Sequence, residues 1–442
     1  MSATPSSYLF APDLGPVLAV DFGTSNTALA LLQEGQIRRI PVEGAHDTLP
    51  TAVFFPTEDG EMLVGRAAAR ALIDGDEGRY MRALKSILGD PLFHESRLLG
   101  GKRQTLADVV TAFLVTVKTR AEAATGQRFT RVLSGRPVRF HSDHDDKNTQ
   151  AEHDLRACYH AAGFDQVDFR YEPEAAAHAC HGLGPAQQSA NQIGLIIDIG
   201  GGTSDFTVFR TRDGQIEILA SHGIRLGGTD FDQKISMAHV MALLGHGGQL
   251  KRTFGDELLP MPNAIFQDLA TWAKIPFLYG RETERKVEDL LAHAVEPQKV
   301  ARLQEVITQR LGHELAFAVE DGKIAANGKG GSAGQDAPTK SDIKMGFIER
   351  GLSAPITPGS MSAALTAPGA GFDAALTGAI YQTLMDASVM PAQIDTAILV
   401  GGSSLMRLVE NTVTTTCPAA RIERSEAFTA VVDGLAVVSK SK

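Results

Sequence analysis

Two stretches of this chain repeat one pattern, and the repetition constrains the fold more than any other feature of the sequence. At Ile196–Phe209, IIDIGGGTSDFTVF, an apolar run leads into Asp198. Gly200, Gly201 and Gly202 follow, then Thr203 and Asp205, then a second apolar run. At Ala19–Leu32, AVDFGTSNTALALL, the corresponding turn holds Asp21, Gly23, Thr24, Ser25 and Asn26. Each reads as strand, glycine turn, strand. Glycines strip a turn of side chains, so its backbone N–H groups can converge on an anion. An aspartate ending the strand can face a metal rather than the core. Both stretches continue into an acidic-Gly-Gln-Ile hairpin, Glu34-Gly35-Gln36-Ile37 and Asp213-Gly214-Gln215-Ile216. One such turn is ordinary in a sheet. The matched pair predicts two facing lobes with a nucleotide and Mg²⁺ between them.

Further elements fall in order around this pair. A strand at Ala52–Phe55 and a helix start near Arg66 precede YMRALKSILGD, which places Lys85 in a short amphipathic segment closed by Gly89. Apolar residues Leu106, Val109, Val110, Phe113, Leu114 and Val117 recur at helical spacing, with Gly126 as the C-terminal stop. A strand from Phe129 follows. The segment containing His141, His144 and Asp145 reads as a polar loop leading into a helix at Glu152–Ala162, rather than as a metal cluster. Glu172 then sits where a strand, Gln166–Tyr171, meets a helix opened by Pro173. Gly227 and Gly228 turn into a helix at Thr229-Asp230-Phe231-Asp232. The next hundred residues read as mainly helical, with one long helix over Pro297–Ala326 and a flexible glycine-rich loop at 326–338. Its Lys329 is not part of a Walker A loop, because Gly330 stands where Ser or Thr is needed. Finally AILVGGSSLMRLVENTV gives strand, Gly401-Gly402, helix, and a last helix ends the chain.

Bulk properties exclude some classes. The net charge of −10 argues against nucleic acid or an anionic membrane as main partner. Cys158, Cys180 and Cys417 lack disulfide or metal spacing, which suits a reducing, cytoplasmic compartment. No apolar run reaches the roughly 18 residues of a membrane helix. Residues 1–14 read as a short disordered arm without the basic and apolar regions of a secretory signal.

These motifs, in this order, resemble the nucleotide-binding domain of the heat-shock-70 (DnaK-type) chaperones. VDFGTSNT resembles the family's first phosphate motif, IDIGGGTSDF its second, and VGGSS its adenosine motif. YEPEAAA, GGTDFD and RALKSILG resemble its connecting segment, its second-lobe turn and its lysine segment. The short chain and SGRPV look most like the YegD-type branch. The resemblance implies an α/β, two-lobed actin-like ATPase fold with duplicated ribonuclease-H-like lobes and no peptide-binding β-domain. Lobe I would comprise 15–189 plus 427–442, with the Lys85 subdomain at about 41–124. Lobe II would comprise 190–426, with an enlarged helical subdomain at about 231–355.

By the same resemblance, Asp21, Glu172 and Asp198 would surround Mg²⁺ largely through water. Gly23, Thr24, Ser25, Asn26, Gly200, Gly201, Gly202 and Thr203 would hold the phosphates of ATP or ADP. Lys85 would offset charge on the transferred phosphoryl, and Asp198 or Asp205 would orient the attacking water. Glu320 and Lys323 would hold the ribose, with Gly228, Gly401, Gly402 and Ser403 against the nucleoside. Leu405 and Ile324 stand where the family has base-stacking arginines, and Arg407 is a candidate substitute. The implied function is an ATP-binding, slowly hydrolysing chaperone-like protein without its own client domain, read by a nucleotide-dependent protein partner. The alternatives are an actin-like filament protein, a small-molecule kinase, or a nucleotide-dependent scaffold without useful hydrolysis.

Overall fold

The repeated pattern becomes two sheets of one topology. The computed structural model describes residues 15–57, 60–74, 76–141, 145–182, 192–212, 215–252, 255–328, 341–367, 371–424 and 429–439. The amino-terminal arm, His144, the Asp213-Gly214 turn and all but the first residues of the 326–338 loop lie outside them.

The first sheet runs Gln166–Tyr171, Arg131–Arg136, Val17–Phe22, Asn26–Gln33, Gln36–Arg39, with Thr48–Pro50 added to Asn26–Gln33. The second runs Arg421–Arg424, Thr396–Val400, Gln192–Ile199, Ser204–Arg212, Gln215–Ile224. In each, an antiparallel three-strand meander carries the glycine turn. Two later strands then join in parallel on the outer side of the first strand. Parallel addition needs crossover connections. The first half supplies helices Leu106–Thr125 and Asp145–Ala161, the second Phe372–Asp386 and Arg407–Thr416. Thr105 and Asp108 form a capping box at the start of Leu106–Thr125, and Gly126, at φ 69, ends it.

Two helices cross beneath both sheets, Glu172–Gly182 and Ala430–Val438. Between them lies a core of small residues, Ala175, Ala176, Ala177, Ala430 and Ala436, joined by Ile196 and Ile398 from the second sheet and Ala19 and Ala30 from the first. The crossing is so close that a Cβ on Gly434 would lie 1.6 Å from the Ala175 carbonyl oxygen. The last helix is tied to the first sheet by Arg39, which donates to both carboxylate oxygens of the buried Asp433 at 3.0 and 2.7 Å.

Above the sheets, the halves meet a second time. Strand Gly78–Arg82 of the first half faces helix Gly312–Asn327 of the second, with Tyr80 edge-on to His313 at 4.9 Å. This packing overturns two sequence expectations. The Pro297–Ala326 segment is two helices, Pro297–Thr308 and Gly312–Asn327, broken where Arg310 takes φ 58. Gly312 then approaches Ile275 and Tyr279 so closely that a Cβ would meet them at 2.7 and 2.8 Å. The mainly helical stretch also contains two hairpins, Gln249–Lys251 with Leu258–Pro260 and Ser341–Lys344 with Ser353–Ile356. The Asp145–Ala161 helix begins seven residues earlier than expected, with Asp145 and Asp146 in its first turn where the dipole favours them.

Cys158 and Cys417 are buried free thiols. No helix among the described residues is long and apolar enough to cross a membrane.

Candidate functional site

The glycine turns close identically. Gly23 N–H donates to Asn26 O at 3.0 Å, and Gly200 N–H donates to Thr203 O at 3.0 Å. Closure engages the first amide of each turn and leaves out those at the tip, Thr24 and Ser25 in one, Gly201 and Gly202 in the other. The tips face each other across the gap between the halves. A Cβ on Gly201 would lie 2.4 Å from Ser25 Oγ, and one on Gly202 would lie 3.0 Å from Ser86 Oγ. A Cβ on Gly228 would lie 2.3 Å from Ser403 Oγ. Gly401, at φ +80, would bring one to 2.4 Å from Ile199 O. Gly401 requires glycine because its φ is left-handed and the Ile199 carbonyl closes on it, whereas at Gly201, Gly202 and Gly228 the close neighbour is a serine hydroxyl.

Between the walls lies a cleft of ≈ 390 Å³, a size that suits a small-molecule ligand. Asp21, Gly23, Thr24, Ser25, Asn26, Lys85, Glu172, Asp198, Gly200, Gly201, Thr203, Gly228, Glu320, Lys323, Gly401, Gly402 and Ser403 all line it. Gly202 packs behind Thr24 and Ser86, off the wall. Asp205 also lies off the wall. It pairs with Asp198 across the hairpin, and its Oδ1 accepts from Val138 N–H at 2.8 Å, linking the second sheet to the first.

Lys85 reaches this floor through strained backbone. Ala83 takes φ 60, a left-handed conformation costly for a residue with a Cβ, and starts the short Leu84–Ile87 turn. Lys85 is buried, with Nζ 2.5 Å from Glu172 Oε1. Burial opposes its charge, but Glu172, Asp21 and Asp205 outweigh burial and raise its pKa above the ordinary value. The carboxylates respond the opposite way. Burial first, then the charges of Glu172 and Asp21, hold the Asp198 pKa well above the usual range, against the pull of Lys85. Asp205 is likewise raised, by burial and then by Glu172 and Asp198. Asp21 is pushed up to about 7 by burial and Glu172, with Lys85 opposing. Several buried carboxylates thus face one ammonium, an environment short of positive charge.

Hard oxygen donors around such a deficit fit Mg²⁺ chemically. No group of three or more His, Cys, Asp or Glu side chains among the described residues could enclose a metal directly. The carboxylates therefore suit an ion that keeps most of its water. A cation needs Asp21 ionised, whereas in the ligand-free fold Asp21 carries a proton below about pH 7. A divalent cation bound among these carboxylates is accordingly expected to release protons near neutrality, and its affinity should fall as pH drops through about 7 and level off above it. Calorimetry in two buffers of different ionisation enthalpy measures that release; equal heats in both would contradict it. For the ligand-free protein, the raised Asp21 pKa stabilises the fold at low pH, and that contribution is lost as pH rises from about 4 to about 7.

The far end of the cleft holds residues to which the sequence reading gave no site role. Arg82, Thr229, Asp232, Trp272, Asn327 and Met406 line it with Ile324 and Leu405. Lys323 Nζ lies 2.6 Å from Asp232 Oδ1, and Trp272 Nε1 donates to Asp232 Oδ2 at 3.2 Å. Asn327 Nδ2 donates to Leu405 O at 2.9 Å and its Oδ1 accepts from Arg407 N–H at 3.0 Å, fastening helix to glycine turn. The Arg407 side chain is exposed and does not line the cleft, which removes it as the substitute for a stacking arginine. Helical spacing could have revealed Asn327, seven residues after Glu320 and on the same face. Asp232 lay inside the GGTDFD motif. Nothing local signals Arg82 or Trp272, which meet only in three dimensions.

Comparison with known proteins agrees with this geometry. The family profile described as Hsp70 protein matches residues 90–249. The chain is 28% identical to the chaperone protein DnaK of Methanothermobacter thermautotrophicus over 414 residues, 90% of this chain and 65% of that protein. It is 28% identical to the DnaK of Endomicrobium trichonymphae over 440 residues, covering 95% and 66%. It is 28% identical to that of Elusimicrobium minutum over 441 residues, covering 96% and 66%. The chain thus spans slightly less than two thirds of the length of these relatives.

Proposed function

Because the chain belongs to the heat-shock-70 family, we propose that it binds Mg·ATP and Mg·ADP in this cleft, hydrolyses ATP slowly, and acts as a chaperone-like switch. The observation that supports this best is the pair of facing glycine turns with Lys85 and Glu172 on the floor between them. In this reading the tip amides of Thr24, Ser25 and Gly201, which line the cleft, hold phosphate oxygens, and Gly202 shapes the turn behind them. Asp21, Glu172 and Asp198 would hold Mg²⁺ largely through water, where it would supply positive charge to the phosphates. Lys85, engaged by Glu172 without ligand, turns to the transferred phosphoryl. Asp198 lines the cleft and can orient the attacking water, while Asp205 fixes the hairpin that carries it. Glu320 and Lys323 face the ribose. Phosphoryl transfer rests mainly on such positioning and charge stabilisation.

Nucleotide bridging the two halves favours closure by its differential affinity for the closed state. The changed surface, which we place in the 231–355 region, is read by a protein partner. In this reading the chain itself has no strong affinity for extended apolar peptides. The buried free thiols suit a cytoplasmic setting.

Single-turnover assays with labelled ATP test the enzymatic reading. Slow ADP formation that stops when EDTA removes Mg²⁺ is expected; product no faster than in buffer would reduce the protein to a nucleotide-dependent scaffold. A pull-down in ATP and in ADP tests the switch: the partner set should differ, and identical sets would contradict it.

A further inference from the structure

The nucleoside end of the cleft lacks arginine at Ile324 and Leu405, yet it does contain a guanidinium. Arg82 belongs to the first half, at the end of strand Gly78–Arg82. Its guanidinium carbon lies 4.5 Å from the Trp272 ring centroid and 5.6 Å from that of Phe317, both in the second half. Nη1 donates to Glu320 Oε2 at 3.1 Å. The side chain is only 11% exposed, and Arg82, Trp272, Glu320 and Lys323 all line the cleft.

This arrangement has three consequences. The indole face and the Glu320 carboxylate fix the guanidinium plane, so little rotamer freedom remains to be lost on binding. Nη1 is engaged by Glu320, while Nε and Nη2 donate to no acceptor among the described residues. The charges around it, Arg82 with Glu320 and Lys323 with Asp232, are balanced. The group is therefore poorly suited to hold phosphate, which the glycine tips and Lys85 already serve. Its donors instead suit neutral acceptors such as sugar hydroxyls and base ring atoms.

We infer that Arg82, held on Trp272, is the contact by which this cleft selects a nucleoside-bearing ligand over bare polyphosphate. This rests on the nucleotide reading above. A planar fork crossing from the first half is presented to the sugar and base edge. The opposite wall, with Ile324 and Leu405, offers only apolar contact to the base faces.

The test compares wild type, Arg82→Ala and Arg82→Lys by calorimetry with Mg·ADP and with Mg·pyrophosphate. Loss of hydrogen bonds from a fixed guanidinium should weaken Mg·ADP by about 10- to 100-fold, with Mg·pyrophosphate changed by less than about twofold. Lysine keeps the charge and the pairing to Glu320 but not the fork. Arg82→Lys is therefore expected to fold normally and still lose most of the preference for Mg·ADP. Unchanged Mg·ADP affinity in either variant overturns the inference. Equal losses for both ligands overturn it too, because Arg82 would then act on phosphate or on the fold as a whole. A wild-type protein that binds neither ligand would instead overturn the nucleotide reading, and this inference with it.

Discussion

Replacing Lys85 by alanine is expected to slow single-turnover ATP hydrolysis by about a hundredfold or more, while Mg·ADP affinity changes by only a few fold. A preorganised charge aimed at the transferred group contributes about 10²–10³ in rate when it is removed alone. Lys85 is the side-chain cation on the floor of the cleft, buried and 2.5 Å from Glu172. Binding has other sources, since the tip amides and the nucleoside end do not involve Lys85. One further effect works against a simple loss. Without the ammonium, Asp21 and Asp198 lose the charge that favours their ionised forms, so both hold their protons more tightly and Mg²⁺ competes against them less well. Comparing single-turnover rates and calorimetric affinities separates the roles. A variant that hydrolyses ATP at the wild-type rate would show that Lys85 acts only on the structure.

The second large effect concerns the floor beneath the cleft. Gly434→Ala is expected to destabilise the protein by about 3 kcal/mol or more, because one added methyl would sit 1.6 Å from the Ala175 carbonyl oxygen. Both partners are helix backbone, so relief requires the crossing helices to separate and the small-residue core to open. Gly378 provides the control. It lies within helix Phe372–Asp386, and a Cβ there would meet nothing within 4 Å. Gly378→Ala should therefore stabilise by about 0.5–1 kcal/mol through helix propensity alone. Urea unfolding of the two variants measures both. A neutral Gly434→Ala would contradict the close crossing, and equal effects at the two sites would remove the argument from local space.

Much of this was legible in the sequence because it is local. A glycine turn with an aspartate at its strand end carries its own geometry, and repetition of the pattern implied the paired sheets. Pro173 placed Glu172 where a strand meets a helix, but Glu172 and Lys85 became candidates only because YEPEAAA and RALKSILG resemble family segments, and both line the cleft. What escaped depends on long-range packing. The break at Arg310 lies beside the close approach of Gly312 to Ile275 and Tyr279, a long-range contact that no periodicity encodes. Arg82 and Trp272 are far apart in sequence and gain their role only when the halves close. Asp205 looked equivalent to Asp198, and the two are paired on one face of the hairpin, but the Asp205 carboxylate is engaged by the Val138 amide and does not line the cleft.

The most direct test of a nucleotide cleft between the two halves uses the chain's single tryptophan, Trp272, which lines it. Tryptophan emission is followed as Mg·ADP is added at millimolar Mg²⁺. A saturable change that fits one site is expected. Emission that stays flat through millimolar nucleotide would contradict the nucleotide reading of the cleft.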